Sequence, residues 1–182
     1  MLIIYFILIV CLLIAAIYDA SIKKIPNWLT LTLVVSGLSW NGISAEGLGL
    51  KDSGSGLIAG LLLMLPGYIF ASMGAGDVKL MAAIGSVVGF NKTLDVVFYS
   101  YMAMLAIAVL FIIVKGDLLK LLLRYKVLIV GLFAGTWSYQ KPDSSEAASY
   151  RLPLAPAIAL ATGYVVYPDI CNSGFMAKLC HF

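Results

Sequence analysis

Long runs of apolar residues recur along the chain and restrict its fold more than any other feature. The first run occupies residues 2–18, and comparable runs follow at short intervals. A helix needs on the order of 20 mostly apolar residues to cross a bilayer, so a chain of 182 residues provides about six crossings. With 62% hydrophobic and 12% charged residues, a soluble globular domain is excluded. We therefore predict an all-α, polytopic membrane protein.

We expect a single membrane-embedded domain over residues 1–182. The first apolar run lacks the basic n-region and the small-residue cleavage pattern of a secretory signal, so it is retained as a membrane helix. A short external tail is expected at 168–182. The six predicted membrane helices occupy 2–18, 28–43, 55–72, 77–90, 95–114 and 152–167, with a solvated loop at 44–54.

Region 115–151 has a different pattern, in which many charged residues surround the short apolar stretch 127–137. That stretch is too short to span a bilayer. We expect an amphipathic helix lying in the membrane interface, with Trp137 and Tyr139 as aromatic anchors. A re-entrant segment is the alternative.

The distribution of Lys and Arg predicts the orientation of the helices. With the N-terminus outside, the inner loops hold most of the basic residues, which is the arrangement that membrane insertion favours. The net charge of +3 is therefore read as membrane orientation, with lipids and not nucleic acid as the partner. The inner residues are Lys23, Lys24, Lys79, Lys115, Lys120, Arg124, Lys126, Lys141 and Arg151, against Lys51, Lys92 and Lys178 outside.

Asp19 and Asp77 are the ionisable residues that this topology sets at the same depth on the inner side. Each alone has a plain reading as an interfacial or helix-capping carboxylate. Two carboxylates that share a site cannot both ionise cheaply, so one keeps a proton while the other activates water. The pair therefore predicts an acid–base hydrolytic site. A proton-carrying transporter is an alternative, against which the absence of an internal repeat argues.

Two glycines, Gly74 and Gly76, precede Asp77. Glycine accepts backbone angles that other residues resist and lets a second chain approach closely. An extended substrate could pair with this loop. Small-residue packing between membrane helices is the other reading.

Three segments resemble the type IV prepilin peptidase family. Residues 74–85, GAGDVKLMAAIG, are similar to its G-x-G-D-x-K-L signature. Residues 19–30, DASIKKIPNWLT, are similar to its first catalytic motif, in which an aspartate is followed by a basic residue and I-P-N-x-L-T. Residues 152–159, LPLAPAIA, resemble its proline-containing last helix.

The resemblance implies an aspartic-type endopeptidase of the inner membrane that removes the leader peptide of a prepilin-like precursor at the cytoplasmic face. Asp19 and Asp77 would be the catalytic pair, and Gly74 and Gly76 would shape the substrate loop. The paired C-x-x-C insertion of longer, methylating members is absent, so the chain resembles the minimal enzymes of tight-adherence (Flp-type) pili. An archaeal-type preflagellin peptidase and a catalytically silent pilus-assembly factor are the alternatives.

Three lysines adjoin these motifs. Lys23, Lys24 and Lys79 could bind a substrate carboxylate or tune the pKa of an aspartate. Ordinary anchoring at the inner membrane surface is the alternative.

The remaining reactive residues do not suggest catalysis, and we expect no metal and no organic cofactor. No zinc-ligand spacing occurs. Cys11 lies mid-helix, where packing is the default, and His181 belongs to the tail. Cys171 and Cys180 could form a disulfide if the external compartment is oxidising. The sequence leaves the oligomeric state open.

Overall fold

The computed structural model describes residues 2–43, 49–69, 73–115 and 154–172, and every regular element in these ranges is an α-helix. The predicted all-α membrane class is confirmed. Segments Ile3–Ile22, Leu50–Ile69 and Phe90–Leu110 are long and apolar enough to cross a membrane, and Ala155–Cys171 is a shorter apolar helix. The helices are α1 (Leu2–Ile22), α2 (Asn27–Ile43), α3 (Leu50–Ile69), α4 (Ala75–Val88), α5 (Phe90–Lys115) and α6 (Ala155–Asn172).

The chain divides into two units. The first comprises Met1–Ala103 and Pro153–Phe182, and the second comprises Met104–Leu152. The first unit holds α1 to α4, α6 and the beginning of α5. The described part of the second unit is the last portion of α5.

Helix α4 is the central helix of the first unit and packs against α1, α2, α3 and α6. Apart from Lys79, every residue from Asp77 to Val88 is buried. A helix that is apolar on all sides is expected to lie inside a protein. Its 14 residues span about 21 Å, which is less than the hydrocarbon core of a typical bilayer. The fourth predicted segment is thus a short helix enclosed by its neighbours.

Small residues allow α3 to approach α4 closely. A Cβ atom at Gly60 would lie 2.6 Å from the carbonyl oxygen of Met81, and one at Gly56 would overlap the carbonyl oxygen of Gly85. Gly56 and Gly60 form a Gly-x-x-x-Gly pair, the spacing that brings two membrane helices into backbone contact. The backbone contact leaves no room for a side chain at these positions.

The last carbonyl groups of α4 are buried and need hydrogen-bond donors. The side-chain amide of Asn41 donates to the carbonyl oxygens of Ser86 (3.0 Å) and Val87 (3.2 Å). The hydroxyl of Ser53 also donates to the carbonyl of Ser86. Polar side chains from α2 and α3 therefore satisfy the buried carbonyl groups at the C-terminal end of α4.

Several helix boundaries differ from those predicted. Helix α3 begins at Leu50, so the solvated loop predicted at 44–54 is too long. Asp52 lies in the first turn of α3, where a carboxylate stabilises the helix dipole, and its Oδ1 accepts from the backbone N–H of Phe90 at 3.3 Å. Helix α6 includes Pro168 and continues to Asn172. The predicted interfacial helix of 115–151, with Trp137 and Tyr139, lies almost entirely outside the described residues, and it stays a prediction.

Candidate active site

Asp19 lies in the last turn of α1, with 8% of its surface exposed. Lys23 ends this helix in the left-handed conformation, at φ 55°. Its N–H donates to the carbonyl of Asp19 at 3.0 Å, the bond that closes an αL-type helix terminus. Because α1 ends here, the chain turns at Lys23 and does not continue the helix.

The carboxylate of Asp19 contacts the first residue of α6. Its Oδ2 accepts from the backbone N–H of Ala155 at 2.9 Å. The first N–H groups of a helix have no intrahelical acceptor and carry a partial positive charge. Asp19 thereby caps α6 from a position 136 residues earlier in the chain.

Asp77 is the third residue of α4, and 6% of its surface is exposed. Gly74 is the N-cap residue and has an extended backbone, at φ −82° and ψ 151°. The N–H of Gly74 donates to Oδ2 of Asp77 at 3.0 Å, as an acidic side chain at the third helical position does in a capping box. Asp77 is therefore a capping carboxylate through its Oδ2.

The two aspartate motifs contact each other through the α1–α2 connection. A Cβ atom at Gly76 would lie 3.1 Å from the Cβ of Ile25, so the connection packs directly on the backbone of α4. Nearby, Nζ of Lys79 donates to Oδ1 of Asn27 at 3.1 Å. Glycine is therefore favoured at position 76, because a larger residue would crowd Ile25.

These contacts bring all three sequence segments to one end of the first unit. We call this region the acid end and define it by Asp19, the connection 23–26, Asn27, Asp77 and Ala155. Helix α1 packs against α4, and α4 packs against α6. Two buried carboxylates within such a cluster can serve as acid and base only if water or substrate reaches them.

The three lysines considered in the sequence are all exposed at this end. Lys79 has Asn27 as a hydrogen-bond partner, which gives it a structural contact that the sequence did not indicate. Lys23 sets the end of α1 through its backbone.

Three residues shape the acid end in ways that the sequence did not indicate. The N–H of Ala155 holds Asp19, and Ile25 packs on Gly76. Asn27, for which the sequence indicated a turn or cap role, accepts from Lys79. Pro156 was an available signal, since proline is favoured in the first turn of a helix and so marks the start of α6. The packing of Ile25 on Gly76 has no comparable signal because it joins residues far apart in the chain.

A second polar cluster, which no sequence motif indicates, lies at the other end of the first unit. The hydroxyl of Tyr5 donates to Oδ2 of Asp169 at 3.0 Å, and Lys92 forms an ion pair with the same oxygen. We call this the distal cluster. It joins α1, α5 and α6.

Two of the three cysteines lie among the described residues. Cys171 is disulfide-bonded, whereas Cys11 is a free, buried thiol. Cys180 and His181 lie outside the described residues. Within the four described ranges, no three His, Cys, Asp or Glu residues are grouped as metal ligands.

Comparison with known proteins identifies a family. The model of the type IV leader peptidase family matches residues 6–109. This range is more than half of the chain and includes Asp19, the α1–α2 connection and Asp77. No curated protein matches the chain, and no solved structure does so.

Proposed function

Because the chain belongs to the type IV leader peptidase family, we propose that it is a membrane aspartic endopeptidase in which Asp19 and Asp77 form the catalytic pair. Its substrate is a prepilin-like precursor, and cleavage occurs between the leader peptide and the apolar stem. One observation carries the proposal. Two buried carboxylates from two separate motifs lie in segments that contact each other through Ile25 on Gly76 and Lys79 on Asn27.

The proposed chemistry needs one ionised and one protonated carboxyl group. The ionised carboxylate removes a proton from water, and the water oxygen attacks the peptide carbonyl carbon. The protonated carboxyl donates a hydrogen bond to the carbonyl oxygen, and a proton passes to the leaving amine as the C–N bond breaks. Two acids that share a site favour this state, because the second ionisation is penalised by the first charge.

Backbone N–H groups support the proposal by orienting each acid. Ala155 N–H holds one oxygen of Asp19 and Gly74 N–H holds one oxygen of Asp77. A carboxyl group fixed through one oxygen keeps a defined direction for the other. Such preorganisation is what a general acid–base pair requires.

We also propose that the acid end faces the cytoplasm and that the N-terminus lies outside, in the inner membrane. The excess of Lys and Arg in the loops on this side supports the orientation. The disulfide bond of Cys171 supports it independently. Cys171 is near the end of α6 opposite Ala155, and disulfides persist in oxidising compartments.

The short α1–α2 connection supports cleavage without methylation. Only residues 23–26 separate α1 from α2, at the place where longer members of the family carry a cysteine-rich insertion. A minimal enzyme of the tight-adherence (Flp) type is the subclass we propose. The exposed side chains of Lys23 and Lys24 are the proposed contacts for acidic groups of the substrate.

The test is cleavage of a cognate prepilin co-expressed with the chain in a host that lacks its own leader peptidase. Asp19→Asn and Asp77→Asn keep the size of the side chain and its hydrogen-bonding oxygen but remove the acid. Asp95→Asn is the matched control, because Asp95 is exposed on α5. We expect loss of cleavage in the first two variants and wild-type cleavage in the control.

Other results would favour other functions. Cleavage that persists in either Asp19→Asn or Asp77→Asn would contradict the catalytic pair. Precursor binding without cleavage by the wild-type chain would favour an assembly factor. Proton transport in liposomes without proteolysis would favour a transporter.

A further inference from the structure

Among the described residues, the distal cluster is a group of titratable side chains that lies outside the acid end. Tyr5 is 2% exposed, and its hydroxyl donates to Asp169. Lys92 pairs with the same carboxylate and lies 5.9 Å from the centre of the Tyr5 ring. The side chains of Lys92 and Asp169 are each 32% exposed. One carboxylate thus links α1, α5 and α6.

The distal cluster and the acid end both include residues of α1 and α6. The number of residues between the two regions is the same on both helices. Tyr5 precedes Asp19 by 14 residues on α1, and Asp169 follows Ala155 by 14 residues on α6. Fourteen helical residues rise about 21 Å, or nearly four turns. Helices α1 and α6 therefore run antiparallel in one register, with a hydrogen-bonded pair at each end.

The surface between the two pairs is apolar. An apolar groove between α1 and α6 is lined by residues such as Leu8, Leu12, Gly163 and Val166. The hydroxyl of Thr162, which also lines it, donates to Ile158 of its own helix at 2.7 Å. Apolar side chains and small residues pack membrane helices together, and a hydrogen bond between two helices joins two defined atoms.

A shift of α6 along α1 by one helical turn, about 5.4 Å, would break the contacts at both ends together. Tyr5 and Lys92 would lose Asp169, and Asp19 would lose the N–H of Ala155. An unpartnered polar group in an apolar setting is costly, so the two pairs oppose the same movement. The distal pair is tied to α5 as well, through Lys92.

We propose that Tyr5, Lys92 and Asp169 are positioning residues that set the axial register of α6 on α1 and thereby hold the first N–H of α6 on Asp19. The effect on cleavage rests on the function proposed above. The register itself can be measured without any substrate. The distal cluster then acts on the acid end through a rigid helix about 21 Å long.

The first measurement is disulfide cross-linking between α1 and α6 in membranes, in the full chain with Cys11→Ala. One pair, Leu12→Cys with Thr162→Cys, reports the native register. A second pair, Leu12→Cys with Val166→Cys, reports a shift of one turn. We expect the native pair to cross-link at least about tenfold faster, and Asp169→Asn to reduce this preference to about threefold or less, since a factor of 10 corresponds to about 1.4 kcal/mol.

The second measurement is leader cleavage by Asp169→Asn, Tyr5→Phe and Lys92→Met. We expect kcat to fall by about three- to tenfold with KM unchanged, because a misplaced acid slows the chemical step and not the binding of substrate. Lys92→Arg should retain near wild-type kcat, because a cation remains beside Asp169. Asp95→Asn, on the same helix as Lys92, is the control for removal of a carboxylate.

The outcomes separate this inference from the proposed function. An unchanged cross-linking preference in Asp169→Asn would overturn the inference, whatever the activity. A changed preference with unchanged kcat would overturn the link to Asp19. Failure of the proposed function would appear instead as cleavage that survives Asp19→Asn, and the cross-linking result would still stand.

Discussion

The acid end and the distal cluster both hold carboxylates in an apolar protein, but their partners differ. Asp19 and Asp77 accept from the backbone N–H groups of Ala155 and Gly74. Asp169 accepts from the hydroxyl of Tyr5 and pairs with the cation of Lys92. A backbone N–H orients a carboxylate without adding a full charge, whereas an ammonium group compensates its charge.

This difference suggests a division of roles between the two ends. A carboxylate that is paired with a cation is suited to joining helices, because the cation compensates its charge. Asp19 and Asp77 lie in the two motifs for which we propose acid–base chemistry. We therefore expect changes at the acid end to act directly on activity. Changes in the distal cluster should act first on the register of α6 and, through it, more weakly on activity.

The strongest test of this division compares Asp77→Asn with Asp169→Asn. We expect Asp77→Asn to lower cleavage by at least about 1,000-fold, as loss of one member of a catalytic unit does. Its thermal unfolding midpoint should stay near that of the wild type, because the amide oxygen can still accept from Gly74. Asp169→Asn should lower kcat by about tenfold at most. The division fails if the two variants lose activity equally.

The second test concerns the contact between α3 and α4. Gly56→Ala should lower the free energy of unfolding by about 2–4 kcal/mol, because the new methyl group would overlap the backbone at Gly85 and overpacking is not relieved by moving a side chain. Gly54→Ala is the matched control on the same helix, since a Cβ there has nothing within 4 Å. Denaturation in detergent measures both. Equal stability of the two variants would contradict the close approach of the helices.

The third test removes the hydrogen bond between Asp19 and α6 while leaving both acids in place. Ala155→Pro deletes the N–H donor at a position where proline is compatible with a helix. We expect kcat to fall by about tenfold, because Asp19 loses one orienting hydrogen bond to a charged group. Ala155→Gly keeps the donor and should stay within about twofold. Equal kcat in the two variants would show that this N–H does not orient Asp19.

The smallest effect is expected at the hydrogen bond between Lys79 and Asn27. Exposed polar pairs contribute about 0–1 kcal/mol, so Lys79→Met and Asn27→Ala should each lower kcat by about threefold or less. The double variant should be no worse than either single one, because the two substitutions remove the same contact. If Lys79 binds substrate instead, Lys79→Met will raise KM and Asn27→Ala will not.

Much of the architecture could be predicted from the sequence because apolar run length decides membrane helices almost locally. The runs around 2–18, 28–43 and 95–114 correspond to α1, α2 and α5. Helix α1 ends at Ile22, α2 begins one residue earlier than its run, and α5 begins at Phe90. Boundaries were less predictable where polar residues join a helix. The apolar pattern predicts a loop at Lys51 and Asp52, but both lie in the first turn of α3. There the helix dipole and the contact with the N–H of Phe90 stabilise the carboxylate of Asp52.

The sequence determined which chain segments could carry the chemistry. The motifs around Asp19 and Asp77 are short and continuous, so residue type and order were sufficient to indicate them and to suggest an acid pair. Gly76 was also identified in this way. Its packing partner, Ile25, could not be identified from the sequence, because the presence of a glycine does not indicate which residue packs against it.

Only the tertiary structure decided which groups orient those acids and how the two ends of α1 and α6 are related. The N–H of Ala155 reaches Asp19 across 136 residues, and Tyr5 reaches Asp169 across 164. Contacts at such separations depend on helix packing and register, which a pattern read along one segment does not contain. Helix formation follows from local apolar composition, whereas the placement of a polar group on its partner follows from how whole helices pack together.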